Sequence, residues 1–248
     1  MKPEPAHPMP STPPLIAHRG WPARYPENGL EGFAAAVAAG ARYLELDVQL
    51  SADRVPLVIH DDNLRRTTGV DMSILETRAA MLRSMVDDPG TLPTVAEVME
   101  WIATADGLSV FVELKRASLR RFGVARVLDS LAPALRPAMS RCVIISFAGE
   151  ALRHARDTLG TPVGWVLEGT GREARARAEA LSPDYLFVEE RRLRGAPPWP
   201  GPWRWAAYTV NEPKRARELL AAGADLVETD DVGVMIEALA ADTPAGDD

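Results

Sequence analysis

Two short strings, Glu45-Leu46-Asp47 and Glu113-Leu114-Lys115, each close an apolar run, and two further apolar runs end in His18 and His60. Side chains of a β-strand alternate between its faces, so Glu45 and Asp47 project together, as do Glu113 and Lys115. Burying three carboxylates without cationic partners costs several kcal/mol per ion, so the strings call for a cation among them. A divalent metal answers that need. Oxygen donors suit Mg²⁺, Ca²⁺ or Mn²⁺, and a nearby histidine keeps Zn²⁺ in play. Arg19 and Lys115 add positive charge beside such an ion, and a guanidinium fork with a lysine point charge is built for a phosphate. An unperturbed imidazole pKa of about 6.5 lets one histidine accept a proton while the other donates one, a division of labour that fits ester hydrolysis.

These residues need a scaffold that brings strand ends together. Apolar runs at 15–18, 42–48, 108–113, 141–146, 162–167, 185–188, 203–209 and 224–228 read as strands. Helical patterns at 29–39, 95–104, 119–131, 149–159, 172–181, 212–222 and 232–240 fall between most of them. Eight strands alternating with helices over 248 residues predict a (β/α)8 TIM barrel, in which functional side chains sit at the C-terminal rim. Gly40 and Gly223 follow alanine-rich helices at the position where a left-handed residue ends a helix. Asn211 reads as an N-cap ahead of Glu212 and Pro213. An extra short strand at 55–59 precedes about thirty residues that break the alternation, and loops of that length are usually functional. Residues 61–93 are therefore expected to form a short insertion after the second barrel strand, with a small helix at 74–85.

Composition narrows the class. A net charge of −7 argues against a nucleic-acid or membrane-surface binder, which needs a basic footprint. The single cysteine, Cys142, excludes an intramolecular disulfide and a cysteine zinc cage, and its apolar run predicts a buried hydrophobe. The proline-rich residues 1–14 lack the features of a secretory signal and are expected to form a disordered tail, as are 242–248, leaving one catalytic domain at 15–241. No window has the ~20 apolar residues of a membrane span, so a soluble, cytoplasmic protein without membrane insertion is expected. The charged run 172–179 reads as a solvated helix face, and neither His7 nor His154 is expected to act chemically.

Taken as a set, His18-Arg19-Gly20, Pro26-Glu27-Asn28, Glu45-Leu46-Asp47-Val48, His60-Asp61, Arg66-Thr67-Thr68-Gly69, Pro93-Thr94 and Glu113-Leu114-Lys115 resemble the glycerophosphodiester phosphodiesterase family in order and spacing. The resemblance is densest over 15–115 and returns in Ser146-Phe147, Thr209-Val210-Asn211 and 223–230. It implies metal-dependent hydrolysis of a small-molecule diester, such as glycerophosphocholine or glycerophosphoethanolamine, to glycerol 3-phosphate and an alcohol. It implies His18 and His60 as the acid/base pair, Glu45, Asp47 and Glu113 as ligands of one divalent cation, and Arg19 and Lys115 as phosphate ligands. The insertion would cap the pocket and grip the alcohol or glycerol end. Departures from the family pattern are Gly29 in place of threonine, Tyr208 in place of tryptophan, and Asp231 where a proline often stands; they touch substrate contacts more than reaction type.

Two other readings keep the same site. A phospholipase-type phosphodiesterase would act on a lipid or lysolipid diester through a cyclic phosphate, and a non-catalytic barrel would bind a phosphodiester without turnover. The intact histidine pair argues against simple binding. Glu228 is expected either to reach the same rim or to cap the last helix. Trp203 and Trp205 share one face and are expected to pack the barrel, with Trp205 at the substrate cleft as the alternative. The loop 197–202 is expected near that cleft, with no role assigned.

Overall fold

The computed structural model describes residues 13–193 and 195–241. The tails expected at 1–14 and 242–248, and His7 with them, lie outside these residues apart from Pro13 and Pro14. The strands are β1 (Leu15–Ala17), β2 (Tyr43–Leu50), β3 (Pro56–Val58), β4 (Ser109–Leu114), β5 (Cys142–Ser146), β6 (Val163–Val166), β7 (Tyr185–Glu189), β8 (Arg204–Tyr208) and β9 (Leu226–Thr229). They form one sheet in the order β1-β9-β8-β7-β6-β5-β4-β2-β3, and parallel pairing of β1 with β2 closes it. All the strands except β3 run parallel, with helices on the outside, so the chain is a (β/α)8 barrel. β3 turns back antiparallel on the upper half of β2, pairing Val48 with Val58, on the edge that β1 occupies lower down.

Alternation along β2 shows why the sequence folds this way. Leu44, Leu46, Val48 and Leu50 face the helices and are fully covered, while Tyr43, Glu45, Asp47 and Gln49 face the barrel axis. The axis is plugged by Ile16, Tyr43, Phe111, Val143, Ile145, Tyr185, Phe187 and Leu226. Phe111 meets Tyr185 and Phe187 edge-on, with ring centroids 5.1 Å apart in each pair. Gly164 makes room for this plug, because a Cβ there would lie 2.9 Å from Ile145 and 3.1 Å from Phe187. Phe111 stands one layer below Glu113 on β4, so the carboxylates sit directly above an apolar floor.

The helices follow the sequence pattern with local changes. Gly40 and Gly223 end their helices at φ +109° and +105°. Thr94 and Glu97 form a reciprocal capping box at the start of helix Val95–Thr104. The helix expected at 119–131 is two helices, Arg116–Phe122 and Val124–Leu135, because Gly123 at φ +83° breaks it. Asn211 does not cap helix Pro213–Ala221; Glu212 holds that position, and the Asn211 side chain is bonded to the loop after β9 instead. Cys142 is buried, and burial pushes its thiol up to about 12. Among the described residues no helix is long and apolar enough to cross a membrane.

The insertion has a core of its own, built from Leu57, Ile59, Leu64, Ile74, Ala79, Leu82 and Leu92. Its helices are short, Arg65–Thr68 and Ala79–Arg83, so the helix expected over 74–85 covers only its middle. Ile74 is instead drawn into that core, and Ala79 N donates to Asp53 Oδ1 at 2.9 Å where the second helix begins.

Candidate active site

All seven residues singled out in the sequence meet at the C-terminal rim. His18 and Arg19 follow β1 directly, Glu45 and Asp47 lie within β2, Glu113 lies in β4, Lys115 follows it, and His60 stands two residues past β3. The register sets Asp47 beside Glu113 across the β2–β4 pair. Arg19 and Asn28 both adopt left-handed backbone, at φ +53° and +60°, conformations that non-glycine residues hold only where surrounding contacts fix them.

Those contacts centre on Asp47. Its Oδ2 accepts from Asn28 Nδ2 at 2.9 Å and lies 3.0 Å from Arg19 Nε, while its Oδ1 lies 3.1 Å from Lys115 Nζ. Asn28 Oδ1 accepts from the Asp47 backbone N–H at 3.2 Å, so the pair is locked twice. Lys115 Nζ also donates to Glu113 Oε1 at 2.9 Å, and Glu45 Oε2 accepts from the Arg19 backbone N–H at 3.1 Å. Burial works to raise the Asp47 pKa, yet Lys115 and Arg19 outweigh it and hold this carboxyl below the usual range. Burial and then the Asp47 charge push Glu45 well above its ordinary value, and Glu113 is raised for the same two reasons.

This set fits a divalent cation. One ligand oxygen from each of Glu45, Asp47 and Glu113 can be chosen so that all lie within 4.8 Å of one another. Glu45 Oε1 is buried and has no hydrogen-bond partner among the described residues, a costly arrangement unless an ion takes it up. His18, Glu45 and Glu228 form a second group within the same limit, sharing Glu45 with the first.

The two histidines are held alike and charged differently. His18 Nδ1 is 2.7 Å from Asp230 Oδ1, and its Nε2 is 3.4 Å from Glu228 Oε1. Burial lowers its pKa, but Glu228 and Asp230 prevail and push it up to about 9. His60 Nδ1 is 2.6 Å from Asp61 Oδ1. Burial lowers the His60 pKa, and Lys115 and Arg19 add to that against Asp47 and Asp61, so the ring is held below its ordinary value. Both rings line a cleft of about 170 Å³ with Arg19, Glu45, Glu113 and Lys115. Ile145, Phe147, Val166, Phe187 and Tyr208 form its apolar side. A larger cleft of about 650 Å³, walled by Glu27, Asn28, Ile59, Arg66 and Met85 among others, lies between the insertion and the barrel and shares no lining residue with the smaller one.

Several contributors were not singled out from sequence. Asp230, Asp61, Asn28 and Glu27 each hold one of the seven, although all four lie inside or beside the motifs quoted above. Glu228 is in the cleft and buried, and burial pushes it up to about 7; the last helix, Val232–Ala240, has no side-chain cap, so the capping alternative fails. Trp205 faces the helix layer and packs edge-on against Trp199 at 5.4 Å, as the packing reading expects. The loop 197–202 is not near the cleft. It leads into β8 and packs by Trp205 and Gly223, at the strand-start end of the barrel.

A model of the glycerophosphoryl diester phosphodiesterase family matches residues 18–196. A glycerophosphodiester phosphodiesterase of Caldanaerobacter subterraneus is 29% identical over 246 residues, covering 90% of this chain and 96% of that protein. Among solved structures, an Oleispira antarctica phosphodiesterase in complex with its product sn-glycerol-3-phosphate superposes with a TM-score of 0.78 at 26% identity, covering 92% of this chain and 97% of the other. A glycerophosphodiester phosphodiesterase of Thermotoga maritima gives 0.71 at 26%, covering 91% and 97%. Rim geometry, barrel and sequence match agree, and the chain belongs to the glycerophosphoryl diester phosphodiesterase family.

Proposed function

We propose that the protein hydrolyses small glycerophosphodiesters, with glycerophosphocholine and glycerophosphoethanolamine as the class, to glycerol 3-phosphate and the free alcohol in a reaction that needs a divalent cation. The observation that carries this is the meeting of Arg19, Lys115, Glu45, Glu113 and two oppositely tuned histidines at one cleft above an apolar floor, with Asp47 buried behind the two cations. Support for the product comes from the Oleispira relative, whose structure holds sn-glycerol-3-phosphate.

Glu45, Asp47 and Glu113 would hold the cation, with Mg²⁺ or Ca²⁺ the best match to an all-carboxylate set and Mn²⁺ or Zn²⁺ as alternatives. When bound, such an ion neutralises charge on the phosphoryl oxygens. Arg19 and Lys115 orient the phosphate from the side; each is already fixed by Asp47, so little ordering remains to be done on binding. His60, held neutral, accepts a proton from the attacking water, whose oxygen bonds to phosphorus as the ester bond to the alcohol breaks. His18, held protonated between Asp230 and Glu228, delivers a proton to the departing alcohol oxygen. The apolar side, with Phe147 and Tyr208, shields the carbon skeleton of the substrate from water. A net charge of −7 fits a water-soluble diester better than an anionic lipid surface.

A coupled glycerol 3-phosphate assay across several diesters, with Mg²⁺, Ca²⁺, Mn²⁺ or EDTA, tests the proposal. Release that stops in EDTA and returns with one of the ions is the expected result. A cyclic phosphate that accumulates as product would replace hydrolysis with the phospholipase-type reaction, and full turnover in EDTA would remove the cation from the account.

A further inference from the structure

Arg66 belongs to the insertion, yet its guanidinium reaches the barrel. Nη1 and Nη2 donate to the two oxygens of Glu27 at 2.7 and 2.6 Å, and Nε donates to Asp61 Oδ2 at 2.6 Å. The other oxygen of Asp61 holds His60 Nδ1 at 2.6 Å. Glu27 Oε1 lies 3.4 Å from Arg19 Nη1, and Arg19 Nε in turn meets Asp47. One planar group thus grips both carboxylates that orient the His60 ring and the Arg19 fork.

The backbone beneath Arg66 is built to deliver it. Leu64, just before the one-turn helix Arg65–Thr68, is fully buried in the insertion core. The hydroxyls of Thr67 and Thr68 donate to the Leu64 carbonyl at 3.3 and 3.0 Å, and Gly69 at φ +77° ends the turn. Among the described residues the neighbouring Arg65 pairs with exposed Asp71 and not with Glu27 or Asp61, so the two arginines of one turn have different tasks.

We propose that Arg66 is a positioning residue: it sets His60 through Asp61 and Arg19 through Glu27, so that docking of the insertion onto the barrel completes the site. Arg66 is half-exposed, so solvent screens its ion pairs and limits their contribution to folding, while its contacts to Asp61 and Glu27 bear directly on the site. A guanidinium satisfies three donor directions in one plane, which an ammonium cannot do. The inference rests on the proposed roles of His60 and Arg19.

The test measures kcat and KM for glycerol 3-phosphate release from glycerophosphocholine, together with melting temperature, for R66A, R66K, R65A and H60A. R66A should keep its melting temperature and lose about 10- to 100-fold in kcat/KM, the usual effect of removing a group that orients a reacting one. The loss should divide between kcat, through His60, and KM, through Arg19. Added guanidinium ion should restore part of it where equal sodium chloride does not. R66K should stay well below wild type, and R65A should match wild type. R66A or R66K with wild-type kcat and KM overturns the proposal, as does a loss that tracks a fallen melting temperature and ignores guanidinium. If R66A does not fold, R66K decides alone. Full turnover by H60A would instead sink the role of His60, whatever Arg66 shows.

Discussion

Glu45→Gln should make the cation-free protein more stable while removing its response to cations. Glu45 is 1% exposed, its Oε1 has no hydrogen-bond partner among the described residues, and the carboxylates of Asp47, Glu113 and Glu228 surround it. An unsatisfied buried polar group costs about 1–3 kcal/mol, and an amide of the same shape can donate to those neighbours instead of repelling them. For a chain of this size each kcal/mol moves the melting temperature by about 2–4 °C, so the variant should melt roughly 2–12 °C above wild type in EDTA. Wild type, in turn, should gain about 2.7 kcal/mol from a cation present at about a hundred times its dissociation constant. Because the folded-state pKa of Glu45 is raised, the folded protein holds an extra proton, and stability without cation falls as pH rises above the unfolded value of about 4.3. That slope should be shallower in the variant. Calorimetric melting of both proteins, in EDTA and with Mg²⁺, Ca²⁺ or Mn²⁺, reads all of this. A variant that melts below wild type in EDTA and keeps the full cation-induced rise would refute the reasoning.

Other consequences follow from the same geometry. Since His60 is held below its ordinary pKa, kcat/KM should climb with pH below about 6.5, as the neutral ring becomes available, and level off at neutral pH. His18 is pushed up to about 9, so the rate should fall above that pH; Asp230→Asn keeps an acceptor but removes the charge and should move this alkaline limb down by about one pH unit. Asn28→Gly keeps the left-handed backbone but removes both Asn28–Asp47 hydrogen bonds, and should lower glycerol 3-phosphate release by about 10- to 100-fold, read by the same coupled assay. Trp205→Phe loses packing against Trp199, worth about 0.5–1.5 kcal/mol in a melting curve, and should leave the rate unchanged because Trp205 is not in the cleft.

The barrel is legible in the sequence because parallel strands covered on both faces read as continuous apolar runs, and the departures from that pattern are the informative ones. Glu45 and Asp47 interrupt such a run with period two, and that alternation alone puts both on the face opposite Leu44, Leu46 and Val48, which is the barrel axis. What the sequence hides depends on closure. His18 and Asp230 are 212 residues apart and meet only because β1 pairs with β9. The same pairing brings Glu228 to the cleft, and the alternative of capping the next helix is equally sound locally. Asn211 has cap chemistry, but its amide fixes Asp230 instead. Alternation puts Trp203 and Trp205 on one face without saying which face, and the position of loop 197–202 follows from β8 starting right after it at the strand-start end. The break at Gly123 is visible in principle, since a glycine inside a helical pattern is where a left-handed residue is cheapest.

Where a cation binds decides the proposed chemistry most directly. A crystal soaked with Mn²⁺ and glycerol 3-phosphate should give one anomalous peak among Glu45, Asp47 and Glu113, with the phosphate between it and the side chains of Arg19 and Lys115 and the Nε2 atoms of His18 and His60 facing the ester oxygens. A peak ligated by His18, Glu45 and Glu228 would take His18 out of proton transfer and contradict the account, as would a phosphate bound in the cleft with no cation beside it.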